Sequence, residues 1–329
     1  MGKTAEKARE KVAQQPDQGE EVHGIGEPFA IGPDVYAMRG TRGANVGAVI
    51  TSEGIVLIDT PLVPQEAWTW RDFLQEVSGG KPFLYIINTD HHRGHIVGNM
   101  WFNCPVIAHH IAWRYMGGYK DNFKQRVRQL FKKQPEIQRH LQDIRIILPE
   151  ITFGDKFTLF KGRREVRVIH VGGHTPATSI VHVPDAAVVF SGDLISRGEH
   201  PFMTQATSKA WLDGLALIKS LNPKVVVPGH GDVGGPEIAD PMIEYLTFIR
   251  THVREHLLAG DSKVDTANDL APQLLPWFGI PKYRRPKITQ QIKQGIGKVY
   301  VELQQEMKQK AREEQKKAAQ ASDQGNESA

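Results

Sequence analysis

The 329-residue chain is predicted to fold as an α/β protein. Three observations carry the prediction. Short apolar runs of strand length alternate with stretches whose apolar residues recur at helical spacing. Four of those runs end in loops that hold His or Asp. Glycine stands beside these residues, as it must where the backbone turns sharply or approaches a neighbour closely. In an α/β sheet the loops at strand ends gather functional groups on one rim.

The elements follow in order. Residues 1–22 are polar and charged and read as a mobile or weakly helical arm. They lack the apolar centre of a secretory signal. Residues 35–49 and 54–59 read as antiparallel strands, with a turn at Thr51-Ser52-Glu53-Gly54. Residues 65–77 read as the first outer helix. Trp68 and Trp70 flank the loop Pro61-Leu62-Val63-Pro64 and suit either the core or the wall of an apolar pocket. Phe83-Leu84-Tyr85-Ile86-Ile87 is a buried strand. Residues 111–145 form a helical stretch, with Phe123, Val127, Leu130 and Phe131 at helical spacing. Strands are predicted at 165–171, 186–190 and 225–227, and an amphipathic helix with Trp211, Leu215 and Ile218 at 209–221. Residues 23–250 make one catalytic domain. Residues 251–329 are a C-terminal helical extension, in which Ile288, Ile292, Ile296, Val299 and Leu303 form a stripe and the tail after Lys308 frays. The stripe fits a helix docked on its own domain, with a homodimer contact as the alternative.

The chemistry lies at four strand ends. Asn88-Thr89-Asp90-His91-His92-Arg93-Gly94-His95 opens a loop with one carboxylate and three imidazoles. Carboxylate with imidazole suits zinc, and also iron or manganese. Three further candidate ligands each follow an apolar run: His174 in Gly172-Gly173-His174-Thr175-Pro176, Asp193 in Ser191-Gly192-Asp193, and His230 in Pro228-Gly229-His230-Gly231. Alternation along an extended segment puts Asp90 and His92 on one side, ahead of a frame in which His91 points inward.

These ordered motifs, with the strand Gly54-Ile55-Val56-Leu57-Ile58-Asp59-Thr60 before them, resemble the metallo-β-lactamase superfamily over residues 30–250. The resemblance implies an αββα sandwich of two mixed β-sheets flanked by helices, and a hydrolase. It implies one metal site of Asp90, His92 and His174, with Asp193 bridging to a second of His95 and His230, and Asp59 bracing the metal loop. The family's loop reads His-x-His-x-Asp-His, whereas this one reads Asp90-x-His92-x-Gly94-His95, so the second site lacks a carboxylate at Gly94. One or two ions are therefore both open, as is a role for Asp90 as ligand or general base. Metal-bound hydroxide would attack an ester, thioester, lactone or amide, a β-lactam among them but second in rank. Asp90, His92, His95 and Asp193 are the candidate catalytic residues, and Arg93, His200 and Phe202 the candidate contacts to a small-molecule substrate.

Composition narrows the alternatives. No apolar run approaches a membrane span. Cys104 is the single cysteine, so no disulfide or four-cysteine zinc site forms within the chain. The cytoplasm is the expected compartment. The net charge of +4 does not by itself imply nucleic acid. Basic residues between Lys120 and Arg145 keep a nuclease or phosphodiesterase as an alternative, disfavoured by the interspersed Glu136, Asp143 and Glu150. A non-catalytic binding scaffold is the other alternative, kept open by the altered Asp90 and Gly94 positions, and the retained His92, His95, His174, Asp193 and His230 argue against it.

Overall fold

The computed structural model describes residues 26–326, so the expected N-terminal arm lies outside the described residues. They divide into two compact units: residues 26–201 with 209–243, and residues 202–208 with 244–326.

The first unit is built on two mixed sheets. The first holds β1 (Glu27–Gly32), β2 (Val35–Arg39), β3 (Val46–Ile50), β4 (Ile55–Ile58), β5 (Phe83–Asn88), β6 (Val106–His109) and β7 (Ile151–Phe153), in that spatial order. Strands β1 to β4 pair antiparallel and β4 to β7 parallel. The second sheet runs β12 (Val225–His230), β11 (Val188–Ser196), β10 (Ser179–Val183), β9 (Arg164–His170), β8 (Lys156–Lys161), with only β11 and β12 parallel. Helices α1 (Pro64–Ser78), α2 (Arg93–Ile96), α3 (His110–Gly117), α4 (Asp121–Leu130), α5 (Pro135–His140) and α6 (Ser208–Ser220) complete it.

Burial explains the layering. Every residue of β3 and β4 is buried, so both faces of these central strands are covered and their sequences read as unbroken apolar runs. Between the sheets, Val49, Val56, Ile58, Ile87 and Ile107 meet Val168, Val181, Val188, Phe190 and Val227. On the other face of the first sheet, Ala48, Leu57 and Ile86 pack against Ala67, Trp70 and Leu74 of α1. Full burial of each such side chain contributes about 2 kcal/mol. Trp70 is core and stacks on Phe73, while Trp68 is exposed and sets its edge on His140. Cys104 is half-buried, and burial together with Glu150 pushes its thiol up to about 12, the state of an inert core cysteine.

Three local differences from the sequence reading have physical causes. The helical stretch at 111–145 is three short helices, interrupted at Gly118 and at Pro135, the first residue of α5. Phe123, Val127 and Phe131 form the buried i, i+4 stripe, and Leu130 is turned outward. Strand β11 extends past Phe190, so Asp193 lies within a strand and not in the loop after it. Its pairing with β12 slips at Gly192, whose φ of +50° makes the bulge that re-aims the next side chain. Strand β12 continues through Pro228 to His230, because an edge strand tolerates a missing donor.

The second unit contains most of α7 (Asp240–Ala259), with α8 (Lys263–Leu274) and α9 (Arg285–Asn326). Ser262 caps α8 by accepting from the Asp265 amide. Helix α9 lies against α8 with its predicted stripe buried, and it continues through Asn326 where a frayed tail was expected. Arg250 ties it down through Glu302 at 3.0 Å and Glu306 at 2.9 Å. Among the described residues no helix is long and apolar enough to cross a membrane.

Glu66 of α1 gives the fold a measurable pH signature. Its buried carboxylate accepts from the Arg42 amide at 3.0 Å and faces the Arg42 guanidinium at 3.6 Å. Burial outweighs these contacts and raises its pKa from 4.5 to about 7. The folded state therefore holds this proton more tightly than the unfolded state does. The contribution is full below 4.5 and is lost as pH rises to 7, a swing of about 3 kcal/mol. Glu66→Gln should accordingly gain stability relative to wild type by about that amount between pH 4.5 and 8 in urea titrations. A mutant-minus-wild-type difference independent of pH would refute the assignment.

Candidate metal centre

The site is assembled where strands of both sheets end. Asp59 directly follows β4, and Asp90 and His92 follow β5. His95 sits in α2, His174 in the turn between β9 and β10, Asp193 in β11, and His230 at the end of β12. An inter-sheet bond from the Ser179 amide to the Thr89 carbonyl, 2.8 Å, fixes the first loop against the second sheet.

Asp90 is fully buried. Its Oδ1 accepts from the backbone amides of His91 and His92 and from Thr175 Oγ1 at 3.3 Å, and lies 3.0 Å from His91 Nδ1. His91 is thus turned away from the cluster; its ring stacks on Tyr115 at 4.2 Å, and its carbonyl accepts from Tyr119 Oη. Asp90 Oδ2 has no hydrogen-bond donor among the described residues and faces His92 Nδ1 at 3.5 Å and His174 Nε2 at 3.8 Å. His174 Nε2 lies 3.2 Å from His92 Nδ1 and 3.5 Å from Asp193 Oδ2. Four ligands about 2.0–2.1 Å from a tetrahedral ion stand roughly 3.3 Å apart, so these spacings fit one divalent ion.

Asp193 continues the cluster. Its Oδ2 is 3.3 Å from His95 Nε2, and its Oδ1 is 3.4 Å from His230 Nε2. His95 is oriented from behind: Asp59 Oδ2 takes His95 Nδ1 at 2.8 Å and Thr89 Oγ1 at 2.6 Å, while Oδ1 accepts from the Thr89 amide. Asp59 adopts a φ of +56°, a left-handed conformation that Asp tolerates. Glu199 lies 3.7 Å from His230 Nδ1.

The electrostatics agree. Burial disfavours charge on Asp90, but the His92, His91 and His174 imidazoles outweigh it and hold the carboxyl well below the usual range. Burial is likewise outweighed at Asp193, by His95 and His230. Burial lowers His92 and brings His174 down to about 4, which keeps both in the neutral form that coordinates metal. Asp59 and Asp193 raise His95 against burial. Buried carboxylate oxygens without donors are stabilised by a nearby cation, and this donor set suits a divalent one.

All six predicted ligands converge here, with Asp59 behind them. Gly94, the position that lacks the carboxylate, packs its Cα against the Gly43–Ala44 backbone; a Cβ there would lie 3.2 Å from the Ala44 nitrogen. Arg93 is exposed beside the loop and His200 is buried. Phe202 is exposed and opens the segment that belongs to the other unit. Sequence reasoning missed Thr89, Thr175, Asn45 and Tyr119. Asn45 donates to the Pro228 and Gly231 carbonyls and so holds the His230 loop. Such residues carry no ligand chemistry of their own. Only the adjacency of Thr89 and Thr175 to predicted ligands could have marked them.

A family model described as metallo-beta-lactamase superfamily matches residues 39–230. No curated protein matches the chain. Among solved structures, a metallo-beta-lactamase from Pontibacter korlensis is similar, with 20% identity and a TM-score of 0.53 over 68% of this chain and 99% of that one. The DIM-1 metallo-beta-lactamase is similar with 18% identity and a TM-score of 0.51, over 68% and 98% of the two chains. At these identities the likeness is one of fold.

Proposed function

The chain belongs to the metallo-beta-lactamase superfamily, and on that premise we propose that it is a metal-dependent hydrolase acting on a small-molecule ester, thioester, lactone or amide, a β-lactam included. One observation carries the reading: donor atoms of Asp90, His92, His174 and Asp193 lie within 4.8 Å of one another in a largely buried cluster. Asp90, His92 and His174 would hold one ion, Asp193 would bridge, and His95 and His230 would complete a second site. Zinc is favoured for the imidazole-rich set, and iron or manganese suit it chemically. Held by these residues, a divalent ion would supply Lewis acidity, lowering the pKa of a water to about 7 and polarising a carbonyl.

The chain's own residues do the positioning. Donors crowd Oδ1 of Asp90 and leave Oδ2 facing the two histidines, which supports a ligand role over that of a general base. Asp59 holds the Nδ1 side of His95 and leaves Nε2 as the inward nitrogen. Asp193 lies between His174, His95 and His230 and so sets the spacing of the two halves. Arg93, His200 and Phe202 are proposed to contact substrate.

The test is metal content by elemental analysis, followed by a screen of esters, thioesters, lactones and β-lactams. We expect one or two equivalents of metal, and hydrolysis that disappears on chelation and returns with added zinc, iron or manganese. Hydrolysis undiminished in metal-stripped protein would defeat the proposal.

A further inference from the structure

A cleft of about 650 Å³ opens at the far end of the two sheets from the metal centre. The strands locate it. β4 begins beside the Thr51-Ser52 wall of the cleft and ends at Asp59, and β5 begins two residues after Lys81 and ends ahead of Asp90. β9 starts at Arg164 and leads to the turn that holds His174, and β11 starts three residues after Asp185 and carries Asp193. At about 3.3 Å per residue, the seven residues of β9 alone span roughly 20 Å. A space of this volume suits a small molecule.

Hydrogen bonds fix its walls. Glu53 accepts from the Gly162 amide at 2.6 Å and from Lys161 Nζ at 3.2 Å, which clasps a turn of one sheet to a turn of the other. The two turns pack closely, because a Cβ on Gly162 would lie 2.0 Å from Ser52 Oγ. Lys81 Nζ donates to the Thr51 carbonyl at 2.7 Å. Arg164 lies 2.9 Å from Asp185 Oδ2 and 3.4 Å from Asp34 Oδ2, and donates to the Pro33 carbonyl at 3.0 Å.

Four cations and two carboxylates line this space, and they are unequally committed. Lys161 and Arg164 have carboxylate partners. Lys81 keeps two N–H bonds beyond the one to Thr51. Arg163 stands in the β8–β9 turn, and among the described residues no carboxylate or carbonyl partners its guanidinium. Donors without acceptors on two neighbouring cations are what an oxyanion requires. The half-exposed carboxylates of Asp34 and Asp185 offer acceptors to the same space, which suits hydroxyl groups. Ile50 is the one large apolar residue in the lining, so an apolar ligand would gain little here.

We propose that this cleft is a second ligand site, separate from the metal centre, for a small polyol bearing an oxyanion, the chemistry shared by sugar phosphates and sugar acids. Arg163 and Lys81 take the oxyanion, and Asp34 and Asp185 take hydroxyls. The site does not depend on the hydrolase reading.

The test is calorimetry on the full-length metal-loaded protein with ribose 5-phosphate, gluconate and ribose. The first two separate a phosphate from a carboxylate source, and ribose lacks the anion. One of the two anions is expected to bind in the millimolar range or tighter, with ribose weaker by about tenfold or more. Arg163→Gln should weaken the preferred anion about tenfold at wild-type metal content, with Arg163→Lys between it and wild type. His174→Ala, which removes the metal, should bind the same anion with the wild-type Kd. An unchanged Kd in Arg163→Gln would overturn the proposal, as would the absence of saturable binding of both anions to wild type. Loss of anion binding in His174→Ala would also overturn it, by placing the anion at the metal. None of these outcomes bears on the hydrolase reading, which metal content and the substrate screen decide.

Discussion

His174→Ala is expected to abolish metal binding at the centre and to lower hydrolysis on the order of a thousandfold or more. The expectation follows from position. His174 Nε2 faces three of the other five candidate ligands: His92 at 3.2 Å, Asp193 at 3.5 Å and Asp90 at 3.8 Å. Removing it leaves the buried carboxylates of Asp90 and Asp193 with one fewer neutralising partner. Gly172 and Gly173 before it have φ of +65° and +92°, so the turn is fixed by its backbone and survives loss of the ring. Circular dichroism should therefore be near wild type while elemental analysis shows the metal gone. His92→Ala should behave in the same way. A His174→Ala protein that retained wild-type metal content would show that the ion binds elsewhere.

The fold and the ligands were legible for the same reason. Each candidate ligand is preceded by an apolar run, and in the structure those runs are the strands that end at one edge of two packed sheets. The strand boundaries were less legible at Asp193 and His230. There the polar triplet Ser191-Gly192-Asp193 and the sequence Pro228-Gly229 read as loops, yet both belong to strands. The bulge at Gly192 and the edge position of β12 reconcile breaker residues with strand pairing, and neither is visible locally. The helical region at 111–145 shows the converse. Its periodicity was real, but Leu130 lies off the buried face that Phe123, Val127 and Phe131 share. The groups that hold the site were hardest to see. Thr89 and Asn45 act through hydrogen bonds to residues 30 and 183 positions away, and those bonds exist only once the sheets have packed.

Gly229→Ala should cost the protein its metal almost as completely as loss of a ligand. A methyl group at this position would lie 2.0 Å from Asp193 Oδ1 and 2.9 Å from the Asp193 nitrogen. The second contact is with backbone, so a rotation of the Asp193 side chain cannot relieve the clash. Nor can the Gly229 backbone withdraw freely, because its carbonyl accepts from the Asn45 amide at 2.7 Å. The strain is of the overpacking kind, about 1–3 kcal/mol, and should lower Tm by several degrees. The functional loss should be larger than that destabilisation. Asp193 joins His174 and His95 on one oxygen to His230 on the other, so displacing it separates the two halves of the centre. Gly117→Ala is the control: a Cβ at that position meets nothing within 4 Å. The control should keep its metal, whereas Gly229→Ala should bind less than one equivalent and show little hydrolysis. Full metal content in Gly229→Ala, with only Tm reduced, would mean that Asp193 is not a ligand and that this glycine serves strand packing alone.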